Sequence, residues 1–221
     1  MNEEAIARVR QSYNLVADEY VRQIYGELQH KALDRELLDR FAASVREGGL
    51  VCDVGTGPGQ VARYLFERGV KVCGIDLSRE MVERARALNP GIDFQQGNMF
   101  ALKVEDGSWA GISAFYAIVN IPPDDVIDVL REFHRVLTPG GLLLLSFHLG
   151  DEVLHRDELL GSKVSLDFHF FPANRIVSAL KAAGFEIEEI IERDPYPEVE
   201  HPSRRAYIFA RKPDRALMTF T

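Results

Sequence analysis

The sequence predicts a doubly wound α/β fold, and three stretches carry that prediction. Residues 50–60, LVCDVGTGPGQ, run from a short apolar segment through a carboxylate, Asp53, into glycines at 55, 57 and 59. Helical spacing then begins at Val61 and Leu65. Residues 70–78, VKVCGIDLS, alternate like a strand and end in Asp76, 23 positions after Asp53, which leaves room for one crossing helix. Residues 142–147, LLLLSF, are almost wholly apolar, as a central parallel strand covered on both faces must be.

The remaining elements follow in order. Residues 6–23 are amphipathic: Val9, Tyr13, Val16 and Tyr20 share a face, while Arg8, Arg10, Asp18 and Glu19 lie elsewhere. A second helix spans about 31–45, with Leu33, Leu37, Phe41 and Val45 in line and Gly48 and Gly49 ending it. Both precede the first strand, so residues 1–48 are an addition to the sheet, and 49–213 are the sheet domain. Its second helix, 79–88, is capped by Ser78, and Glu80 and Arg84 have the spacing of a pair. A turn at Asn89-Pro90-Gly91 leads to a third strand, 92–95, and then to Gly97-Asn98-Met99. A fourth strand covers 111–119. Pro122 and Pro123 open the next helix, where Asp124 and Asp125 suit the positive end, and Val126, Val129, Leu130 and Phe133 form its buried face. The fifth strand ends at His148. Residues 150–171 are an insertion in which Val164, Leu166, Phe168 and Phe170 alternate, predicting an extra strand over the active face. A helix at 172–183, closed by Gly184, precedes strands at 185–193 and 205–212 joined by a link rich in proline and acids. Residues 214–221 are expected to be a loose tail.

The net charge of −8 leans away from nucleic acid as the main partner, since phosphate binding wants clustered Lys and Arg. The first residues, MNEEAIAR, lack the apolar segment of a signal peptide. The longest purely apolar run, 142–145, falls far short of the roughly 20 residues that span a bilayer, so no membrane insertion is expected and the cytoplasm is the expected location. Cys52 and Cys73, on adjacent predicted strands, read as free thiols. No metal site is expected.

The glycine turn admits two readings: a tight connection alone, or a place where a polar ligand approaches the backbone and the amides opening the next helix point at it. Its spacing is G-x-G-x-G, with Gln60 where a dinucleotide fold would place glycine and Pro58 removing a donor. Asp76, at the end of the second strand, is placed to reach ribose hydroxyls; its alternative is to share the helix cap with Ser78.

Taken in order, VCDVGTGPGQ, GIDLS, QGNM and LREFHRVLTPGGLLLLSF resemble the motifs of class I S-adenosylmethionine-dependent methyltransferases, in the small-molecule branch that includes the ubiquinone and menaquinone enzymes. The resemblance covers residues 49–212. It implies a seven-stranded, mostly parallel sheet completed by the final antiparallel hairpin, with the N-terminal helices as a lid. It also implies S-adenosylmethionine as cofactor, held by Asp53, Gly55, Thr56, Gly57, Gly59, Asp76, Leu77, Met81, Asn98, Met99 and Tyr116, with Tyr13 and Tyr20 from the lid. The family commonly has an acid at position 98 facing the adenine amino group; Asn98 departs from that, though its amide oxygen still accepts a hydrogen bond. Tyr13 and Tyr20 admit simple helix packing as well as a ligand-facing role, since a buried tyrosine hydroxyl needs a partner.

Transfer of a sulfonium methyl is an in-line displacement that needs alignment and exclusion of water more than a catalytic triad, and a base only if the acceptor must lose a proton. The candidate catalytic side chains are His148, fixed at a strand end; Tyr116, after the fourth strand; and His30, between the two N-terminal helices. Lys31, His169, Tyr196, His201 and Arg205 are further polar candidates, and His134 reads as surface. Three functions compete: a methyltransferase acting on a small-molecule acceptor as a monomer or homodimer, a nicotinamide-dependent oxidoreductase on a similar sheet, and a non-catalytic S-adenosylmethionine-binding relative. Neither the acceptor nor its reacting atom follows from the sequence.

Overall fold

The structure, a computed structural model, describes residues 1–214. In chain order the elements are α1 (Glu3–Ile24), α2 (Ala32–Val45), β1 (Val51–Val54), α3 (Gln60–Phe66), β2 (Val72–Asp76), α4 (Arg79–Leu88) and β3 (Asp93–Gln96). There follow β4 (Trp109–Phe115), α5 (Val126–Val136), β5 (Leu137–His148), β6 (Val153–Leu159), β7 (Ser162–His169), α6 (Ala173–Ala182), β8 (Glu186–Arg193) and β9 (Arg205–Arg211). Seven strands form one sheet in the order β3-β2-β1-β4-β5-β9-β8. The first five are parallel to one another, and β9 runs antiparallel to both β5 and β8. The sheet is therefore doubly wound and mostly parallel, as the sequence predicts. Its order reverses between β1 and β4, which opens a crevice beyond their carboxyl ends.

Strand alternation divides the core into two layers. Leu143, Leu145 and Phe147 of β5 and Ala206, Ile208 and Ala210 of β9 face α5 and α6. Their neighbours Leu142, Leu144, Tyr207 and Phe209 face the other way, against Leu37, Leu38 and Phe41 of α2 and Leu65 of α3. The N-terminal segment, expected to be a lid of two helices, thus divides. α2 is a layer of the core, and α1 alone lies over the carboxyl ends of the strands, packed on α4 and β7. α1 is capped by Asn2, whose side chain accepts from the Ala5 amide at 2.9 Å, and Glu3 and Glu4 occupy its positive end.

The insertion at 150–171 contributes two strands where one was expected. β6 and β7 pair antiparallel as a separate two-stranded sheet. β6 reads HRDE at its centre, so polar alternation could not reveal it. Of the expected tail, residues 215–221 lie outside the described residues. Among the described residues no helix is long and apolar enough to cross a membrane, and Cys52 and Cys73 are free.

Candidate active site

A cavity of about 330 Å³ occupies the crevice, roofed by Ile6, Val9, Tyr13, Tyr20 and Ile24 of α1. The glycine turn forms its floor, and the three glycines have different reasons to be there. A Cβ on Gly55 would lie 2.7 Å from that of Ala117, and one on Gly59 would lie 2.7 Å from Asn89 Nδ2 and 2.9 Å from Phe94 Cζ. Gly55 permits close packing across the switch point, and Gly59 permits it against α4 and β3. Gly59, expected to touch ligand, does not line the cavity. A Cβ on Gly57 would meet nothing nearer than Tyr20 Cε1 at 3.9 Å, so Gly57 is the glycine that faces open space.

The amides of the turn itself, before α3 begins, are engaged within the protein. Gly55 and Thr56 donate to the Ile75 carbonyl, Gly59 to that of Thr56, and Gly57 to Asp76 Oδ2 at 2.8 Å; Pro58 has no N–H. Residues 55–59 therefore offer shape rather than free donors.

Two carboxylates stand behind it, buried Asp53 and part-buried Asp76. Asp53 accepts from Thr56 Oγ1 at 2.6 Å and from Ser113 Oγ at 2.8 Å, so it ties β1 to the turn and to β4. Burial raises its pKa to about 6 against those hydrogen bonds. Asp76 accepts from Gly57 N and from Ser78 N, both at 2.8 Å, and burial raises it likewise to about 6. Ser78 serves as the helix cap through its own hydroxyl, 3.1 Å from Met81 N, which leaves Asp76 lining the cavity. Leu77, Met81, Asn98 and Met99 line the same end; Asn98 Oδ1 already accepts from Phe100 N at 3.0 Å. Tyr13 donates to Asn120 Oδ1 at 2.8 Å and meets Tyr20 edge to face at 6.4 Å, while the Tyr20 hydroxyl makes no hydrogen bond among the described residues. Burial raises the pKa of both phenols.

The opposite end is polar in a different way. Tyr116 follows β4 with φ of 53°, a left-handed conformation costly for a bulky residue. Its hydroxyl lies 3.1 Å from that of Tyr207, which donates to Asp34 Oδ1 at 2.9 Å and accepts from Arg193 Nε at 3.0 Å. His148 lies between the rings of Tyr116 (5.0 Å) and Phe170 (5.1 Å), and its Nδ1 shares a 2.8 Å hydrogen bond with Ser203 Oγ. Burial, then the nearby Arg205, His201 and Lys31, pull its pKa down to about 3, so the imidazole is neutral at physiological pH. Lys31, His201, Glu200 and Arg205 complete this end. Burial would raise Glu200, but hydrogen bonds from Arg193 and the Tyr196 amide, with Lys31 and Arg205 close by, hold it at about 2.

The structure gathers every candidate cofactor-binding residue except Gly59 around one cavity, along with the candidate catalytic residues Tyr116 and His148. It does not bring His30 there: His30 ends a short 3-10 turn and is exposed. His169 and Tyr196 also lie outside it; the Tyr196 hydroxyl accepts from Leu33 N at the start of α2. His134, read as surface, meets the Phe185 ring at 5.2 Å. The sequence reading missed the buried network of Asp34, Arg193 and Glu200. One signal was present: Asp34 shares the i, i+3, i+4, i+7 stripe of Leu37, Leu38 and Phe41, where a carboxylate must have partners.

Comparison with known proteins agrees with this geometry. A family model described as a methyltransferase domain matches residues 51–141. The chain is 32% identical over 196 residues to a malonyl-[acyl-carrier protein] O-methyltransferase of Erwinia billingiae, covering 83% of this chain and 68% of that protein. The chain belongs to the S-adenosylmethionine-dependent methyltransferase family. A sterol 24-C-methyltransferase of Gibberella zeae is 30% identical over 205 residues, which are 80% of this chain and 53% of that protein. The chain thus spans about half the length of some of the curated methyltransferases it matches. The fold is shared with the DhpI–SAH complex at a TM-score of 0.75, with 20% identity, covering 97% of this chain and all of that one.

S-adenosylmethionine is the cofactor of this methyltransferase family, and the cavity fits it on three observations. Gly57 leaves room beside the backbone, and Asp76 presents a part-buried carboxylate to the cavity. Gln60 Oε1, on the cavity wall, is buried with no hydrogen-bond partner and so awaits a donor such as the cofactor's ammonium. In the sequence Gln60 stands out only as a misfit to the dinucleotide pattern.

Proposed function

We propose that the protein transfers a methyl group from S-adenosylmethionine to a small-molecule acceptor. The observation that carries this reading is the single cavity joining the Asp76 end, beside the glycine turn, to the His148 end, under α1. When bound, S-adenosylmethionine supplies an activated sulfonium methyl. Asp76 would accept from the ribose hydroxyls; Leu77, Met81, Asn98 and Met99 would surround the adenine; Tyr20 and Gln60 would hold the amino-acid end. Asp53 positions the turn through Thr56 and Ser113, and Tyr13 fixes α1 to Asn120. α1 closes the site to water. Tyr116 and His148 shape the acceptor side, where a rigid aromatic stack favours alignment over proton transfer. A side chain as hard to protonate as His148 is a weak base, so an acceptor that needs no deprotonation suits the site best.

The net charge of −8 leans away from nucleic acid as a partner, and a cytoplasmic monomer or homodimer completes the proposal. Calorimetric titration tests the reading. S-adenosylhomocysteine should bind with one-to-one stoichiometry and NADH should not; binding of NADH alone would assign the cavity to oxidoreductase chemistry. Turnover against a panel of acceptors then separates an enzyme from a non-catalytic relative.

A further inference from the structure

We propose that the Arg205 end of the cavity is a carboxylate-binding subsite for the methyl acceptor, so that the acceptor is an acid with an apolar body. This rests on the cavity being the methyl-transfer site and specifies what it accepts.

Arg205 opens β9 directly across from His148 and is only 3% exposed. Its guanidinium is half engaged. Nη1 donates to the carbonyls of His201 (3.0 Å) and Ser203. Nε is buried and makes no hydrogen bond, although Glu200 Oε1 lies 3.3 Å away, and Nη2 makes none among the described residues. Nε and Nη2 form one edge of the guanidinium, the edge that takes a carboxylate through two parallel N–H···O bonds. Unpaired buried donors are rare and call for a ligand.

Of the protein's own acids only Glu200 touches that edge, as an ion pair with Nε at 3.3 Å, and its carboxylate is shared with three other donors. Glu200 receives two hydrogen bonds from Arg193 (2.7 and 2.8 Å), one from Tyr196 N (2.9 Å) and the Lys31 ammonium at 3.2 Å. Asp34 is held by Arg193 and Tyr207, both at 2.9 Å, and Glu27 by Lys31 at 2.6 Å. Lys31, whose ammonium sits 5.5 Å over the Tyr116 ring, adds positive potential. The remaining groups here, His148 and His201, are both held below the ordinary histidine pKa, by burial first, and add no negative charge. Val119, Ile121, Leu159 and Phe168 on the cavity wall suit an apolar body.

A carboxylate has two possible sources, the acceptor and the cofactor's own methionine end. β9 stands four places from β2 in the sheet, roughly 19 Å at ordinary strand spacing. An aminoacyl tail anchored at the Asp76 ribose site would have to reach past β1, β4 and β5, so the acceptor is favoured.

The test loads the wild-type protein with S-adenosylhomocysteine and titrates octanoate and benzoate against octanamide and benzamide by calorimetry. At least one acid should bind about tenfold or more tighter than its amide, the worth of one charged bidentate pair. In Arg205→Lys, folded by circular dichroism, that preference should fall to about threefold or less, because a point charge cannot make the bidentate contact. The same variant should bind S-adenosylhomocysteine within about twofold of wild type. Equal binding of acids and amides by wild type, or no binding of either, overturns the proposal without requiring any variant. Phosphate competing as well as the acids overturns it in favour of a general anion site. If Arg205→Lys loses S-adenosylhomocysteine but keeps 5′-methylthioadenosine, which lacks the aminoacyl end, the carboxylate is the cofactor's. Failure of wild type to bind S-adenosylhomocysteine at all would instead sink the methyltransferase reading.

Discussion

The Gly57 amide donates to Asp76 Oδ2 at 2.8 Å, so the carboxylate at the end of β2 also fixes the turn that follows β1. One side chain therefore couples the shape of the cradle to the charge at its edge. Asp76→Ala should weaken S-adenosylhomocysteine binding by ~1.5–3 kcal/mol, the scale of a lost charged hydrogen bond. It should also lower stability, because the Gly57 and Ser78 amides lose their acceptor. Unchanged affinity by calorimetry would remove Asp76 from the binding site.

The three glycines should separate by phenotype. Gly55→Ala and Gly59→Ala press a methyl into Ala117 and into Asn89 and Phe94, so each should cost about 2–4 kcal/mol in urea unfolding through overpacking and left-handed strain. Gly57→Ala should cost only about 1–2 kcal/mol, the strain alone. Gly57→Val should still fold yet fail to bind S-adenosylhomocysteine, because its side chain enters the cavity. Normal binding by a folded Gly57→Val would contradict this.

Cofactor affinity should depend on pH through Asp76. Its pKa is about 6 in the free protein, and the ribose hydroxyls favour the ionised form. Affinity is then full above that value and falls as the pH drops through it, approaching tenfold per unit well below. Asp53 titrates in the same range, so Asp76→Asn is the control that assigns the effect. Calorimetry between pH 7.5 and 5 should show a slope for wild type and almost none for Asp76→Asn.

His148 should make the fold acid-sensitive. Its folded pKa is about 3, below the unfolded value near 6.5, so between these the unfolded chain binds the extra proton. Stability therefore falls as the pH goes below about 6.5, by up to ~1.4 kcal/mol per unit, and levels off near the folded pKa. Comparing wild type with His148→Gln in urea at pH 7 and pH 5, the wild-type advantage should shrink by about 2 kcal/mol at the lower pH. Parallel behaviour of the two proteins would show that the imidazole is not held neutral.

What the sequence made legible was local. Asp76 and the glycine turn lie within single strand–turn–helix units, so spacing alone places them at the carboxyl ends of the first two strands. The first helix was legible as an amphipathic addition. The second was legible as a helix but not as a core layer, since an apolar stripe does not say what it packs on. The acceptor end was largely illegible, because it is assembled across distance: Arg193 reaches Asp34 over 159 positions, and Tyr207 reaches it over 173. Arg193 ends a strand in which charged residues alternate with apolar ones, and Asp34 signals itself only by its place on the α2 stripe. Histidines, by contrast, drew notice by residue type alone, which placed His148 correctly at a strand end and gave His30 a place in the site that its exposed 3-10 turn denies it.

The central claim is that one ligand occupies the crevice and draws α1 over it, and hydrogen exchange on the full chain tests that most directly. Adding S-adenosylhomocysteine should slow exchange in α1 around Tyr13 and Tyr20 together with the glycine turn and the residues around Asp76. Protection confined to the turn and Asp76, with α1 unchanged, would contradict a covering role for the helix and make its tyrosines packing residues; no protection anywhere would contradict the site itself.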